Sequence, residues 1–138
     1  MGRILALDFG LKRTGIAVTD EMNIIASGLK TIDSKTLIDE LKTLISNYNI
    51  VTIVLGEPKR LDGSDSHISE NVRLLFEHLK KTFPVLQIVK YDERFTSKMA
   101  SQSIAMMGLS KSKKQDKSLV DEVSATILLQ SYMQSVGI

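Results

Sequence analysis

The chain has 138 residues, of which 43% are hydrophobic and 25% charged, and its formal net charge is +2. That size and balance predict one soluble globular domain over residues 1–138, and no run of about 18 apolar residues exists to span a membrane. Cysteine is absent, which excludes disulfides, thiolate metal sites and cysteine nucleophiles.

The chain begins Met1-Gly2-Arg3-Ile4 and leads directly into strand-like sequence, without the apolar stretch and small-residue cleavage site of a secretory signal. A cytoplasmic location is expected. Ile4 to Phe9 reads as a strand, Gly10 to Thr14 as a turn, Gly15 to Thr19 as a second strand and Ile24 to Leu29 as a third. The close spacing of these segments suits an antiparallel meander.

A helix is expected from about Thr36 to Tyr48, with Leu37, Ile38, Leu41, Leu44 and Ile45 on one face and Asp33 or Ser34 as its cap. The short apolar run Val51-Thr52-Ile53-Val54-Leu55 suits a strand buried on both faces of a parallel sheet. A polar loop, Gly56 to Asp65, precedes a second helix from about Ser66 to Thr82. Gln87 to Tyr91 reads as a fifth strand. Thr96 can cap a third helix that ends near Gly108, and a last helix starts near Ser118. The order β-β-β-α-β-α-β-α-α predicts an α/β fold with a mixed sheet and helices packed on it.

Several acidic residues sit where hydrophobic patterning does not call for them. Asp8 ends a strand that is otherwise Ile4-Leu5-Ala6-Leu7 and Phe9, so it faces either the following turn or the carboxyl edge where open α/β sheets bind ligands. Asp92-Glu93-Arg94 ends another strand, where a solvated local ion pair is the bland alternative. Asp121 lies in the first turns of the last helix, and the helix dipole alone accounts for a negative charge there. Its neighbours Ser124, Ala125 and Leu128 form a small and then apolar face that can pack closely on a sheet, carrying the carboxylate with it. A buried carboxylate must be paired, protonated or bound to metal. Three such carboxylates meeting at one sheet edge would suit Mg²⁺ or Mn²⁺, and two ions there would serve phosphodiester hydrolysis.

With these residues in hand, the chain resembles the YqgF family, Holliday-junction-resolvase-like proteins assigned as candidate nucleases of pre-16S rRNA. The likeness covers essentially the whole chain and rests on four segments in order. These are Asp8-Phe9-Gly10 with Lys12-Arg13-Thr14-Gly15-Ile16-Ala17-Val18, Leu55-Gly56-Glu57-Pro58 with Asp62-Gly63, Asp92-Glu93-Arg94-Phe95-Thr96, and Asp121 within Lys117-Ser118-Leu119-Val120-Asp121. The resemblance implies a ribonuclease H-like fold with a five-stranded mixed sheet flanked by helices. It implies that Asp8, Glu93 and Asp121 are the catalytic, metal-binding carboxylates, with Asp8 bridging two ions. Resolvases of this fold place a glutamate after the fourth strand, near Glu57, but the YqgF pattern points to Glu93. At most one of Asp92 and Glu93 can take part, because adjacent strand residues face opposite ways.

The implied biology is processing of the 5′ end of precursor 16S rRNA, with RNA favoured over a DNA junction as substrate; the sequence has no exposed apolar stripe that demands a dimer, so a monomer is expected. Lys12, Arg13 and Arg94 are candidate phosphate contacts, and the lysine-rich segment carrying Lys111, Lys113 and Lys114 would close over the strand. Phe and Tyr total seven, too few for an aromatic stacking platform, so recognition through shape and backbone is expected. His67 and His78 lack metal-like spacing and read as surface residues. Two other readings remain: a non-catalytic RNA- or ribosome-binding module of the same fold, and a Holliday junction resolvase. An ATPase of the actin class is disfavoured, because its nucleotide needs two such domains and one fits here.

Overall fold

The computed structural model describes residues 2–57, 68–92 and 117–137. Its centre is a five-stranded sheet in the order β3-β2-β1-β4-β5. Strand β1 (Arg3–Phe9) pairs antiparallel with β2 (Arg13–Thr19), which pairs antiparallel with β3 (Ala26–Asp33). On its other side β1 pairs parallel with β4 (Ile50–Glu57), and β4 pairs parallel with β5 (Gln87–Asp92). The meander and the parallel half both follow the expected order.

Helices cover both faces. Helix α1 (Leu37–Tyr48) and helix α2 (Ser69–Thr82) place Leu37, Leu41, Leu44, Val72 and Leu79 against Leu5, Leu7, Ile16, Ile53 and Leu55 of the sheet. Helix α3 (Lys117–Ser135) covers the other face, where Ala125, Leu128, Leu129 and Met133 meet Ile4, Ala6, Ala17 and Val54. Strand alternation separates the two cores, since successive residues of β1 point to opposite faces. The buried centre of β4 is a near-continuous apolar run, as expected of a strand covered on both sides, although Val51 itself is 44% exposed.

Element ends follow local chemistry. The Asp33 carboxylate accepts from the backbone N–H of Lys35 at 3.0 Å and opens a short 3-10 turn, Ser34–Thr36, ahead of α1. Asn49 ends α1 in the left-handed region, which asparagine tolerates better than most residues. The third strand differs from its expected span, because it starts at Ala26 rather than Ile24 and continues to Asp33. Asp20 is the cause at the first end. Its carboxylate accepts from the backbone N–H groups of Ile25 and Ile24, at 2.8 and 2.7 Å, folding both residues into the turn with their side chains exposed. The same bonds, Ile25's foremost, hold the Asp20 carboxyl below the usual carboxylate range. The expected helix between Thr96 and Gly108 lies outside the described residues, as do the first residues of the expected second helix.

Candidate functional site

Strand β1 sends Leu5 and Leu7 toward α1 and α2, and Ile4 and Ala6 toward α3. The same alternation assigns Asp8 to the α3 side, at the carboxyl end of the strand, where it is half-buried. Its direct partner across the antiparallel pair is Gly15. Gly15 is also where α3 comes closest to the sheet, since a Cβ on it would overlap the backbone carbonyl of Asp121. Asp8, Gly15 and Asp121 therefore stack at one place, with the two acidic residues on the same face and a glycine making room between their backbones.

The seat of α3 fixes this arrangement. Ser124, Ala125 and Leu128 are buried against the sheet, as the small-then-apolar face of the sequence suggested. Asp121 stands one turn before them with its side chain 24% exposed, and one carboxylate oxygen accepts from Arg13 Nε at 3.0 Å. Arg13 opens β2, so the ion pair ties the first hairpin to the last helix. The guanidinium places a positive charge against the Asp121 carboxylate at the end of the sheet where Asp8 lies.

The hairpin itself is tightly braced. The backbone N–H of Gly10 donates to the Arg13 carbonyl at 2.9 Å, and that of Ser34 donates to the Lys12 carbonyl at 2.9 Å. The Ser34 hydroxyl donates to the Gly10 carbonyl at 2.6 Å and meets the buried Thr14 hydroxyl at 2.8 Å. Lys12 stands exposed on this braced turn, beside Leu11.

Glu57 and Asp92 pair across β4 and β5 but share the parity of Ile53, Leu55 and Ile88, the residues that face α1 and α2. Lys90 confirms the side: its Nζ lies 3.7 Å from Glu57 and 4.8 Å from the ring centre of Phe76, on α2. Both acidic residues thus lie across the sheet from Asp8. Glu93, Arg94, Lys111, Lys113 and Lys114 fall outside the described residues.

Among the described residues, no group of three or more His, Cys, Asp or Glu side chains is placed to hold a metal ion. Asp8 and Asp121 together offer two hard oxygen donors, a fitting start for Mg²⁺ or Mn²⁺ that needs a third carboxylate to complete it. His78 is exposed, beside Thr82. Sequence reading missed the pairing of Arg13 with Asp121 and the contact role of Gly15. The one signal for the latter was a glycine inside a strand rich in β-branched residues.

A family model described as "RuvX: Holliday junction resolvase" matches residues 2–135. The chain belongs to the RuvX family. Its relatives include a protein of Flavobacterium johnsoniae named "Putative pre-16S rRNA nuclease", 50% identical over 135 residues and covering 98% of each chain. One of Porphyromonas gingivalis with the same name is 47% identical over 135 residues, again covering 98% of each. The resemblance to YqgF proteins seen in the sequence is borne out. Among solved structures, Thermus thermophilus RuvC in complex with Holliday junction substrate superposes with a TM-score of 0.58 at 14% identity, covering 98% of this chain and 96% of that one. The fowlpox virus Holliday junction resolvase gives 0.57 at 16% identity, covering 96% and 99%. At such identities the likeness shows the fold, and this RuvX-family chain has the ribonuclease H-like architecture of those resolvases.

Proposed function

We propose that this chain is a divalent-metal-dependent nuclease that processes the 5′ end of precursor 16S rRNA during ribosome biogenesis. The observation that carries the proposal is the meeting of Asp8 and Asp121 over Gly15, which brings carboxylates from the first strand and the last helix to one sheet edge. The name carried by relatives at 47 to 50% identity supplies the substrate.

Asp8, Glu93 and Asp121 would hold Mg²⁺ or Mn²⁺. The alternation that turns Glu57 and Asp92 toward α1 and α2 supports Glu93, next in sequence, as the third carboxylate. Bound there, the ions would activate water and stabilise the leaving oxygen. Arg13 keeps the Asp121 carboxylate oriented through the 3.0 Å bond and adds positive charge where a phosphodiester would lie. Lys12, with Arg94, Lys111, Lys113 and Lys114, would contact the RNA backbone. Phosphate contacts position the strand without reading its sequence, which agrees with a chain that carries few aromatic side chains. Such a protein works in the cytoplasm, as a monomer, on RNA that is free or on a pre-ribosomal particle.

The test is cleavage by purified protein with Mn²⁺ or Mg²⁺, on a precursor 16S rRNA 5′ fragment, a four-way DNA junction and a plain single strand. The RNA should be cut, and Asp8→Asn and Asp121→Asn should each slow cutting by more than about 100-fold, beyond the usual cost of losing an outer partner of a metal site. Cutting that survives both substitutions would remove the carboxylate site. RNA binding without cutting, indifferent to both variants, would instead favour the non-catalytic module.

A further inference from the structure

A groove of about 460 Å³ opens beside Arg13, between the β1–β2 turn and the far end of β3. Lys12 and Lys35 both line it, Leu11 and Ile32 supply apolar surface, and Arg13, which also lines it, is ion-paired with Asp121. We propose that this groove is a second nucleic-acid subsite, which holds the nucleotide flanking the cut by its phosphate and its base. The inference rests on the nuclease reading above and extends it by giving the path of the strand.

Charge and shape both point to this occupant. Among the described residues, neither Lys12 nor Lys35 has an ion-pair partner, and the one acidic residue of the groove, Asp33, keeps its charge while its carboxylate accepts from the Lys35 backbone N–H, so the cations of the lining outnumber the carboxylate. Two uncommitted ammonium groups therefore flank the opening. A phosphodiester between them would release counterions and gain affinity without a shape requirement. Leu11 is 58% exposed and Ile32 half-buried, an arrangement that leaves apolar surface beside the two cations. A base has an apolar face as well as a charged backbone, so a single strand satisfies both parts of the groove at once. The hairpin is held rigid by the Gly10, Lys12 and Ser34 bonds, so little ordering cost is added when a strand docks. Because Arg13 borders both the groove and Asp121, a strand held here leads directly to the carboxylates.

Binding of a labelled single-stranded RNA, measured by fluorescence anisotropy without divalent metal across a salt series, separates this subsite from the cleavage reaction. Lys35→Gln should weaken binding severalfold and lower the slope of log affinity against log salt by about 0.7, the value for one phosphate contact on a single strand. Leu11→Ser should weaken binding severalfold with the slope unchanged, since it removes apolar contact and no charge. Lys81→Gln, an exposed lysine in the last turn of α2 and outside the groove, should alter neither. All three positions are exposed, and circular dichroism checks that the variants keep the fold. A Lys35→Gln slope equal to that of Lys81→Gln would overturn the subsite even if the protein cuts RNA. The Lys35 and Leu11 effects without any cutting would uphold the subsite and overturn the nuclease reading alone.

Discussion

Gly15 holds the site together by what it lacks. Asp8 lies opposite it in the β1–β2 register, and the backbone of Asp121 occupies the space a side chain would take. Gly15→Ala must therefore push α3 away from β2, at a cost of about 1–3 kcal/mol, the usual range for overpacking. Gly28, under the same helix, is a matched control, because a Cβ there would lie 3.2 Å from the Thr126 hydroxyl and 3.4 Å from the Glu122 Cβ, contacts that ask for much less movement. Urea denaturation should show the larger loss for Gly15→Ala, and its cleavage rate in folded buffer should also fall as Asp121 shifts. Equal midpoints for the two variants would show that the close approach at Gly15 is not what seats the helix. At this scale the sequence was informative about residue type and silent about partners. Asp8 and Asp121 stood out because a carboxylate at a strand end or on a small-residue helix face conflicts with burial patterning. Arg13 gave no such signal: its bond to Asp121 joins positions at opposite ends of the chain, and an arginine in a turn looks the same whether it waits for phosphate or holds a carboxylate.

Helix α3 is the element on which the site depends, since it carries Asp121 and, among the described residues, is the helix packed on the face of the sheet where Asp8 lies. Leu128, two turns on, is fully buried against that face. Leu128→Ala should cost about 2–5 kcal/mol, read as a lower denaturation midpoint by circular dichroism, whereas Val85→Ala, at a position 93% exposed, should leave the midpoint in place. A Leu128→Ala midpoint unchanged from the parent would mean that α3 is not anchored as its burial indicates. Element order was legible in the sequence because hydrophobic period alone distinguishes strand from helix: the apolar centre of β4 and the one-sided faces of α1 and α2 lie where the pattern put them. Boundaries were less legible where polar bonding decides them. Ile24 and Ile25 look like strand, yet the Asp20 carboxylate draws their N–H groups into a turn. The expected strand ends at Leu29, yet Lys30 to Asp33 also pair with β2, out to Arg13, because an edge strand needs apolar side chains on one face at most. That extension matters to function, for it is the end of β3 that brings Lys35 to the groove beside Arg13.

At the scale of the whole molecule, a net charge of +2 gives no global field to draw in RNA, so affinity has to arise from local clusters such as Lys12 with Lys35. Among the described residues no helix is long and apolar enough to cross a membrane. The fold joins the first strand and the last helix at one edge, and the carboxylates are adjacent only when the sheet and α3 are both in place. A metal held by Asp8 and Asp121 would then bind the native chain and not the unfolded one, which links metal affinity to global stability. At a hundredfold excess of Mn²⁺ over its dissociation constant the native state should gain about 2.7 kcal/mol. For a chain of this size, at roughly 3 °C per kcal/mol, that corresponds to a rise in Tm of about 8 °C. Asp8→Asn and Asp121→Asn should each erase most of the rise while leaving the metal-free Tm within a few degrees of the parent, and Arg13→Gln should keep a rise, because Arg13 orients a ligand without being one. Scanning calorimetry with and without Mn²⁺ makes the comparison directly. A rise of the same size in the Asp8→Asn/Asp121→Asn double variant would place the ion elsewhere on the molecule and separate metal binding from the carboxylate pair.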